Sequence, residues 1–264
     1  MKRILVISDL HCGHVAGLTP PSWQTRPGEG ASRNKQAKFA AIQKEAWNWY
    51  AKNIEAGKPY DLVVCNGDAV DGRGERTGGT ELVAVDRYEQ AQMAEVCIQK
   101  ALTSGTKLVV VIGTAYHVGA EEDWESLIAS DLNALKVGSH EWVTTEGVTF
   151  DFKHHVGSSS VPYGRHTSVA KEGLWSDLWA SEGLTPKSDV VVRSHVHYFQ
   201  YAGTRKQLRL TTPALQSMGS KYGSRRCSGL VDFGFIVFEV EDGTFDMEPV
   251  LAELKSERAK AIKV

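Results

Sequence analysis

Six of the nine histidines of this chain fall in five short segments that also carry well-spaced aspartates. These are Asp9-Leu10-His11, Asn66-Gly67-Asp68-Ala69-Val70-Asp71, Gly113-Thr114-Ala115-Tyr116-His117, His154-His155 and His195-Val196-His197. Carboxylates and imidazoles without a thiolate suit Mn, Fe, Zn or a similar divalent ion. At the end of a strand, residues two apart point to the same side, so Asp9 with His11 and His195 with His197 make two clamps. With Asp68 between them as a bridge, two such clamps can hold two cations about 3.5 to 4 Å apart. A single cation would leave several of these donors idle.

Each segment follows an apolar run of strand length, and strand ends of an open α/β sheet converge on one crevice where ligands bind. The strands predicted are Arg3–Ser8, Asp61–Cys65, Lys107–Ile112, Glu141–Thr145, Val148–Lys153, Asp189–Arg193, Arg209–Thr212 and Phe233–Val240, with a turn at Glu146-Gly147. Helices are expected over Lys35–Ala56, Val85–Thr103, Glu122–Leu135 and His166–Ser181. Residues 12–38, containing Pro20, Pro21, Pro27, Gly28 and Gly30, read as a long loop and a candidate lid. The polar tail 253–264 reads as a short helix or a frayed end.

In this order, the segments resemble the calcineurin-like metallophosphoesterase superfamily, whose signature runs Asp-x-His, Gly-Asp-x-x-Asp, Gly-Asn-His, a lone His, then Gly-His-x-His. The resemblance spans residues 9–197. It implies an α/β fold, a four-layer α/β/β/α sandwich of two mixed sheets flanked by helices, with residues 1–264 forming one domain. It also implies two divalent metal ions (Mn, Fe, Zn or Ni). Asp9, His11 and His197 would hold one, and Asp68 would bridge. His195 would hold the other together with His154, the favoured histidine, or His155, its close alternative. Asp71 would orient a neighbouring group rather than bind metal. Two departures stand out. Ser194 replaces the glycine before His-x-His, and the third block has no Asn, with His117 four positions after Gly113. Either Thr114 or a water takes the place of the Asn, or His117 is redeployed as a ligand. As a catalytic group, His117 would protonate the leaving oxygen after attack by a metal-bridging hydroxide. Arg73 and Arg76 are candidates for phosphate binding, as forks onto non-bridging oxygens.

Other residues read as structural. His14, His140 and His166 lack motif partners, and Cys12 should point away from His11. Ser158–Ser160 has no nucleophile elbow around it, and Gly72–Gly79 lacks the ending of a phosphate-binding P-loop. Trp175 and Trp179, four apart on a helix, read as core. Trp47 and Trp49 should not both face inward.

Four cysteines without a C-x-x-C pair argue against a zinc ribbon or a disulfide scaffold, and no apolar run is long enough for a signal core or a span. A cytoplasmic protein without membrane contact is the expectation. The net charge of −2 hides a basic segment: from Val190 to Val231 there are seven Lys and Arg and no acid. A phosphodiester in a nucleotide or nucleic acid is therefore the leading substrate class. A phosphomonoesterase or protein phosphatase of the same fold is the alternative, as is a metal-poor binding scaffold. No protein partner is inferable from the sequence.

Overall fold

Alternation within the first strand sets the layering. In β1 (Lys2–Ile7), Ile4 and Val6 point into one apolar cluster while Leu5 and Ile7 point into another on the opposite face. The structure is a computed structural model describing residues 1–26, 33–75, 78–119, 123–218, 230–257 and 261, with residues 33–36 described by backbone alone. Strands β2 (Leu62–Asn66), β3 (Lys107–Val111) and β4 (Lys136–Gly138) follow β1 in parallel. The hairpin of β10 (Phe233–Glu241) and β11 (Thr244–Ala252) adds two antiparallel strands on the other side, giving the order β11-β10-β1-β2-β3-β4.

The second sheet runs β5-β6-β7-β9-β8. Its centre, β6 (Val148–Lys153), β7 (Val190–Arg193) and β9 (Leu208–Thr211), is parallel. β5 (His140–Thr145) and β8 (Gln200–Gly203) are antiparallel edges. Between the sheets lie Ile4, Val64, Val109, Phe150, Val192 and Phe238 with their neighbours, all essentially without solvent exposure. Outside the first sheet, α1 (Arg33–Gly57) presents Ala46, Tyr50 and Ile54 at helical spacing. α2 (Arg87–Gln99), N-capped by the Asp86 side chain, and α4 (Trp124–Asp131) share that cluster. A one-turn helix, α3 (Ala115–Val118), follows β3. α5 (Gly164–Ser181) packs outside the second sheet on β7, β8 and β9. The fold is thus the expected four-layer sandwich of two mixed sheets.

α5 is fixed to its sheet partly by charge. Arg193, fully buried at the end of β7, donates through Nη1 to Asp151 Oδ1 (2.7 Å) and through Nε to Glu172 Oε2 on α5 (2.7 Å). Buried ion pairs of this kind hold only when their hydrogen bonds are made.

Several expectations are corrected. β4, β8, β11 and α3 were not anticipated; β11 is an edge strand with alternating exposure and a proline, and the others are at most four residues long. Residues 12–20 are not a lid over the site: they are buried and bonded, with Val15 N–H on Glu81 O, Leu18 N–H on Leu10 O and Ser217 N–H on Ala16 O. Residues 27–32 of the same stretch lie outside the described residues. Trp175 is half-exposed, stacked on Trp179, rather than core. Trp47 and Trp49 both pack on the core, Trp47 against Tyr50 and Trp49 against Phe233 and Phe235 of β10. No described helix is long and apolar enough to cross a membrane.

Candidate metal centre

The five donor segments sit at the carboxyl ends of β1, β2, β3, β6 and β7, on one edge of the sandwich. The loops after β1 and β2 are zipped by backbone hydrogen bonds: Asp9 N–H to Gly67 O, His11 N–H to Asp68 O, Cys12 N–H to Ala69 O and Asp71 N–H to Cys12 O, at 2.9 to 3.0 Å. Asp9, His11, Asp68, His195 and His197 all have positive φ, from 44 to 72°. Non-glycine residues rarely adopt this conformation, and five at one site are held there by the surrounding bonds. Gly67 cannot be replaced without cost, since a Cβ there would lie 2.4 Å from His154 Nδ1. Gly113 is under the same constraint, with Asp68 Oδ1 at 2.2 Å.

Two triads result. In the first, Asp9, His11 and His197 bring one donor atom each within 4.8 Å of the others; Asp68, His154 and His195 do the same in the second. Asp9 lies between them, with Oδ1 3.2 Å from His197 Nε2 and 3.9 Å from His154 Nε2. Hydrogen bonds to a backbone carbonyl and to a carboxylate fix the tautomers. His154 donates from Nδ1 to Asn66 O (2.7 Å), which turns its Nε2 to Asp68 Oδ2 at 3.0 Å. His11 donates from Nδ1 to Asp71 Oδ1 (3.1 Å) and points Nε2 at His197 Nε2, 3.2 Å away.

The donor set fits a divalent cation. His195 Nδ1 is buried without a hydrogen-bond partner, Asp9 Oδ1 and His154 Nε2 are buried facing other members of the donor set, and two ring nitrogens face each other at 3.2 Å. Buried acceptors converging on a common space in this way are stabilised by a positive charge placed there. Oxygen and nitrogen donors without thiolate select the harder divalent ions.

Electrostatics separate the triads. Burial pushes the Asp9 carboxyl up, but His197 and His154 outweigh it and hold it down at about 2. Burial, with His117 nearby, lowers His11 to about 4, and burial beside His154 lowers His195 to about 4. Burial also works against a charged His154, yet Asp68 prevails and raises it to about 10. Asp68 itself is driven well below the usual carboxylate range by His154, against its burial. Without metal, therefore, a His154–Asp68 ion pair fills the second triad at neutral pH.

The altered third block folds to a purpose. Thr114 is the N-cap position of α3, and the two extra residues are taken up in that single turn. His117 thereby returns to face His11 edge-on at 4.5 Å and donates from Nδ1 to Asp71 O (2.8 Å). Its ligand-capable nitrogen groups with His11 and Asp71, not with the second triad. Thr114 gives both its N–H (2.7 Å) and its hydroxyl (3.0 Å) to Asp68 Oδ1, so its polar groups face the carboxylate rather than an open substrate space. His155 is exposed, its ring 4.8 Å from that of His195, outside both triads. Arg73 is exposed on the loop after Asp71, and Arg76 lies outside the described residues. His14 is buried and accepts from Ala16 N–H, His140 bonds Asp151, and Cys12 turns away into the core beside Cys97.

Glu125, on the first turn of α4, escaped the sequence reading. Fully buried, it accepts from Ala69 N–H (2.9 Å) and Gly113 N–H (2.5 Å), clamping the loops that carry Asp68 and Thr114. Burial, with Asp68 nearby, raises its carboxyl to about 8. The only signal was an acid at a helix start.

The profile of the calcineurin-like phosphoesterase family matches residues 2–209. The chain belongs to that family. No curated protein matches the sequence significantly. Among solved structures, the chain is similar to an archaeal phosphodiesterase at 14% identity, covering 94% of this chain and 99% of that one, with a TM-score of 0.47. Vacuolar protein sorting 29 of Cryptosporidium parvum is 13% identical over 95% of this chain and 97% of its own, with a TM-score of 0.45. Zinc-complexed Vps29 of Entamoeba histolytica is 13% identical, covering 94% and 98%, with a TM-score of 0.42. The calcineurin-like phosphoesterase signature departs here in its third block and at Ser194, as the sequence shows.

Proposed function

We propose that this chain is a hydrolase of phosphate esters using two divalent cations, one in each triad, with residues 1–264 acting as a single catalytic unit. The observation that carries the reading is the pair of facing triads whose buried oxygen and nitrogen donors converge on one another. Asp9, His11 and His197 would hold one cation; Asp68, His154 and His195 would hold the other, with Asp68 as the bridge and His155 in neither set. Such cations, when bound, supply Lewis-acid charge to the phosphate oxygens and acidify a water. Asp71 orients His11 through Oδ1 and His117 through its carbonyl. His117, one-fifth exposed at its side chain, keeps Nε2 free of that contact. From Nε2 it would give a proton to the departing oxygen as a water oxygen bonds to phosphorus and the old phosphorus–oxygen bond breaks.

A phosphodiester of a nucleotide or nucleic acid is the proposed substrate class, on a narrower basis than charge counting gave. Arg193 is neutralised inside the fold, and Arg209 faces Gln207 and Asp177 against α5. Arg205 and Lys206 occupy the β8–β9 turn, at the end of the strands away from the donors. Lys221, Arg225 and Arg226 lie outside the described residues. The support for a polyanionic substrate is therefore the composition of Val190–Val231, with seven basic residues and no acid.

The test compares bis-p-nitrophenyl phosphate with p-nitrophenyl phosphate across Mn, Ni, Zn and Mg, in the wild type and in His117→Ala. Faster diester turnover that needs added metal is expected. Turnover of the monoester alone would move the assignment to a phosphomonoesterase, and no turnover with metal bound would leave a binding scaffold.

A further inference from the structure

Beneath the donors, four small polar side chains form a buried chain. Asn66 Nδ2 donates to Ser194 Oγ (2.7 Å), and at 3.4 Å to Lys153 O. Thr212 Oγ1 donates to the same Ser194 Oγ (2.8 Å), and Ser8 Oγ lies 2.7 Å from Thr212 Oγ1. All four residues are fully buried. Ser8 and Asn66 stand at the ends of β1 and β2 in the first sheet; Ser194 and Thr212 follow β7 and β9 in the second. The chain therefore crosses the gap between the sheets, at the edge where the donors emerge.

Four of the five donor segments hang from a member of this chain. Ser8 precedes Asp9, Ser194 precedes His195, and Asn66 stands two residues before Asp68 while its carbonyl holds His154 Nδ1. Between this chain and the Gly243 N–H to Glu146 O bond that joins two hairpin turns, the sheets meet mainly through apolar contact, which is non-directional and tolerates sliding. Hydrogen bonds have narrow distance and angle ranges, so these four fix the relative position of the strand ends. Ser194 is the member at which the chain departs from the glycine of the family signature. Its φ is not positive, so the backbone makes no demand for glycine there. A glycine would leave Asn66 Nδ2 and Thr212 Oγ1 without their shared acceptor.

We propose that Ser194, acting with Thr212, is a positioning residue of the metal centre, its hydroxyl setting the separation of Asp9, Asp68 and His195. The proposal rests on the two-cation reading above. Its test measures Mn affinity of the full chain by isothermal titration calorimetry, with thermal midpoints followed by circular dichroism. The variants are Ser194→Ala, Ser194→Gly, Thr212→Val and Thr212→Ser, with Phe238→Leu in the same inter-sheet core as a control for simple loosening. Loss of the hydroxyl at either position is expected to weaken Mn binding about tenfold, the range seen when groups supporting metal ligands are removed. Thr212→Ser, which keeps the hydroxyl, should bind Mn like the wild type. Phe238→Leu should lower the midpoint and leave Mn affinity unchanged. Wild-type affinity in both Ser194→Ala and Thr212→Val would overturn the proposal, as would an equal loss in Phe238→Leu. Should the Ser194 variants fail to fold, the Thr212→Val and Thr212→Ser pair decides. Absence of Mn binding by the wild type would overturn the two-cation reading, and this proposal with it.

Discussion

The two triads are alike in composition and burial, one Asp and two His each, with the last histidine at the rim. They differ in what their protons do. In the first, Asp9 is held ionised and His11 is kept neutral by burial and by the neighbouring His117, so both are ready to bind a cation at neutral pH. In the second, Asp68 keeps His154 protonated, so a cation must displace a proton before it can enter. Identical donor sets thus need not give identical sites: the neighbours decide. His117 and Asp71 adjoin the first triad, whereas Thr114, where the family signature has Asn, bonds only the carboxylate of the second.

The largest effect should come from removing the carboxylate proposed as the bridge. Asp68→Ala takes away the partner of His154, and hydrolysis of bis-p-nitrophenyl phosphate should fall to background with both cations lost. Retention of two cations would break the comparison by making Asp68 dispensable. Next is His117→Ala, expected to slow turnover about 10²- to 10⁴-fold while Mn content stays at the wild-type level. Loss of Mn would instead make His117 a ligand.

The pH dependence distinguishes the triads directly. His154 in the metal-free protein carries its proton up to about pH 10. Binding requires the neutral ring, so rising pH removes the competing proton. Affinity for the second equivalent should therefore climb about tenfold per pH unit between pH 7 and 9, while that for the first should change far less. The same pair stabilises the metal-free fold fully below the ordinary histidine value of 6.5, and this is lost as pH rises through about 10. Calorimetry at three pH values in two buffers of different ionisation enthalpy would count the released proton. Equal slopes would erase the distinction.

Smaller effects probe the supports. Glu125→Ala leaves Ala69 N–H and Gly113 N–H without their acceptor and should lower stability by about 2 kcal/mol in urea unfolding. His155→Ala should leave both cation affinities within about twofold of wild type, unlike the loss expected from a ligand or its support. A tenfold loss would return His155 to the second triad.

Much of this centre was legible in the sequence because its donors follow strands, and strand runs such as Leu62–Asn66 and Lys107–Val111 are continuous and apolar. The choice of His154 over His155 needed the structure, since it turns on which ring reaches Asn66 O. So did the third block, where a single helical turn decides the direction of His117. The basic stretch carries less free charge than its count, because a one-dimensional count cannot show that Arg193 is buried against Asp151 and Glu172. Ser8, Asn66, Ser194 and Thr212 carry no periodic signal; they become a unit only when four strand ends meet.

The most direct measurement is elemental analysis of the protein after Mn loading and removal of free metal at pH 8. Two equivalents per chain are expected, falling to one in His154→Ala. One equivalent or fewer in the wild type would contradict a two-cation centre.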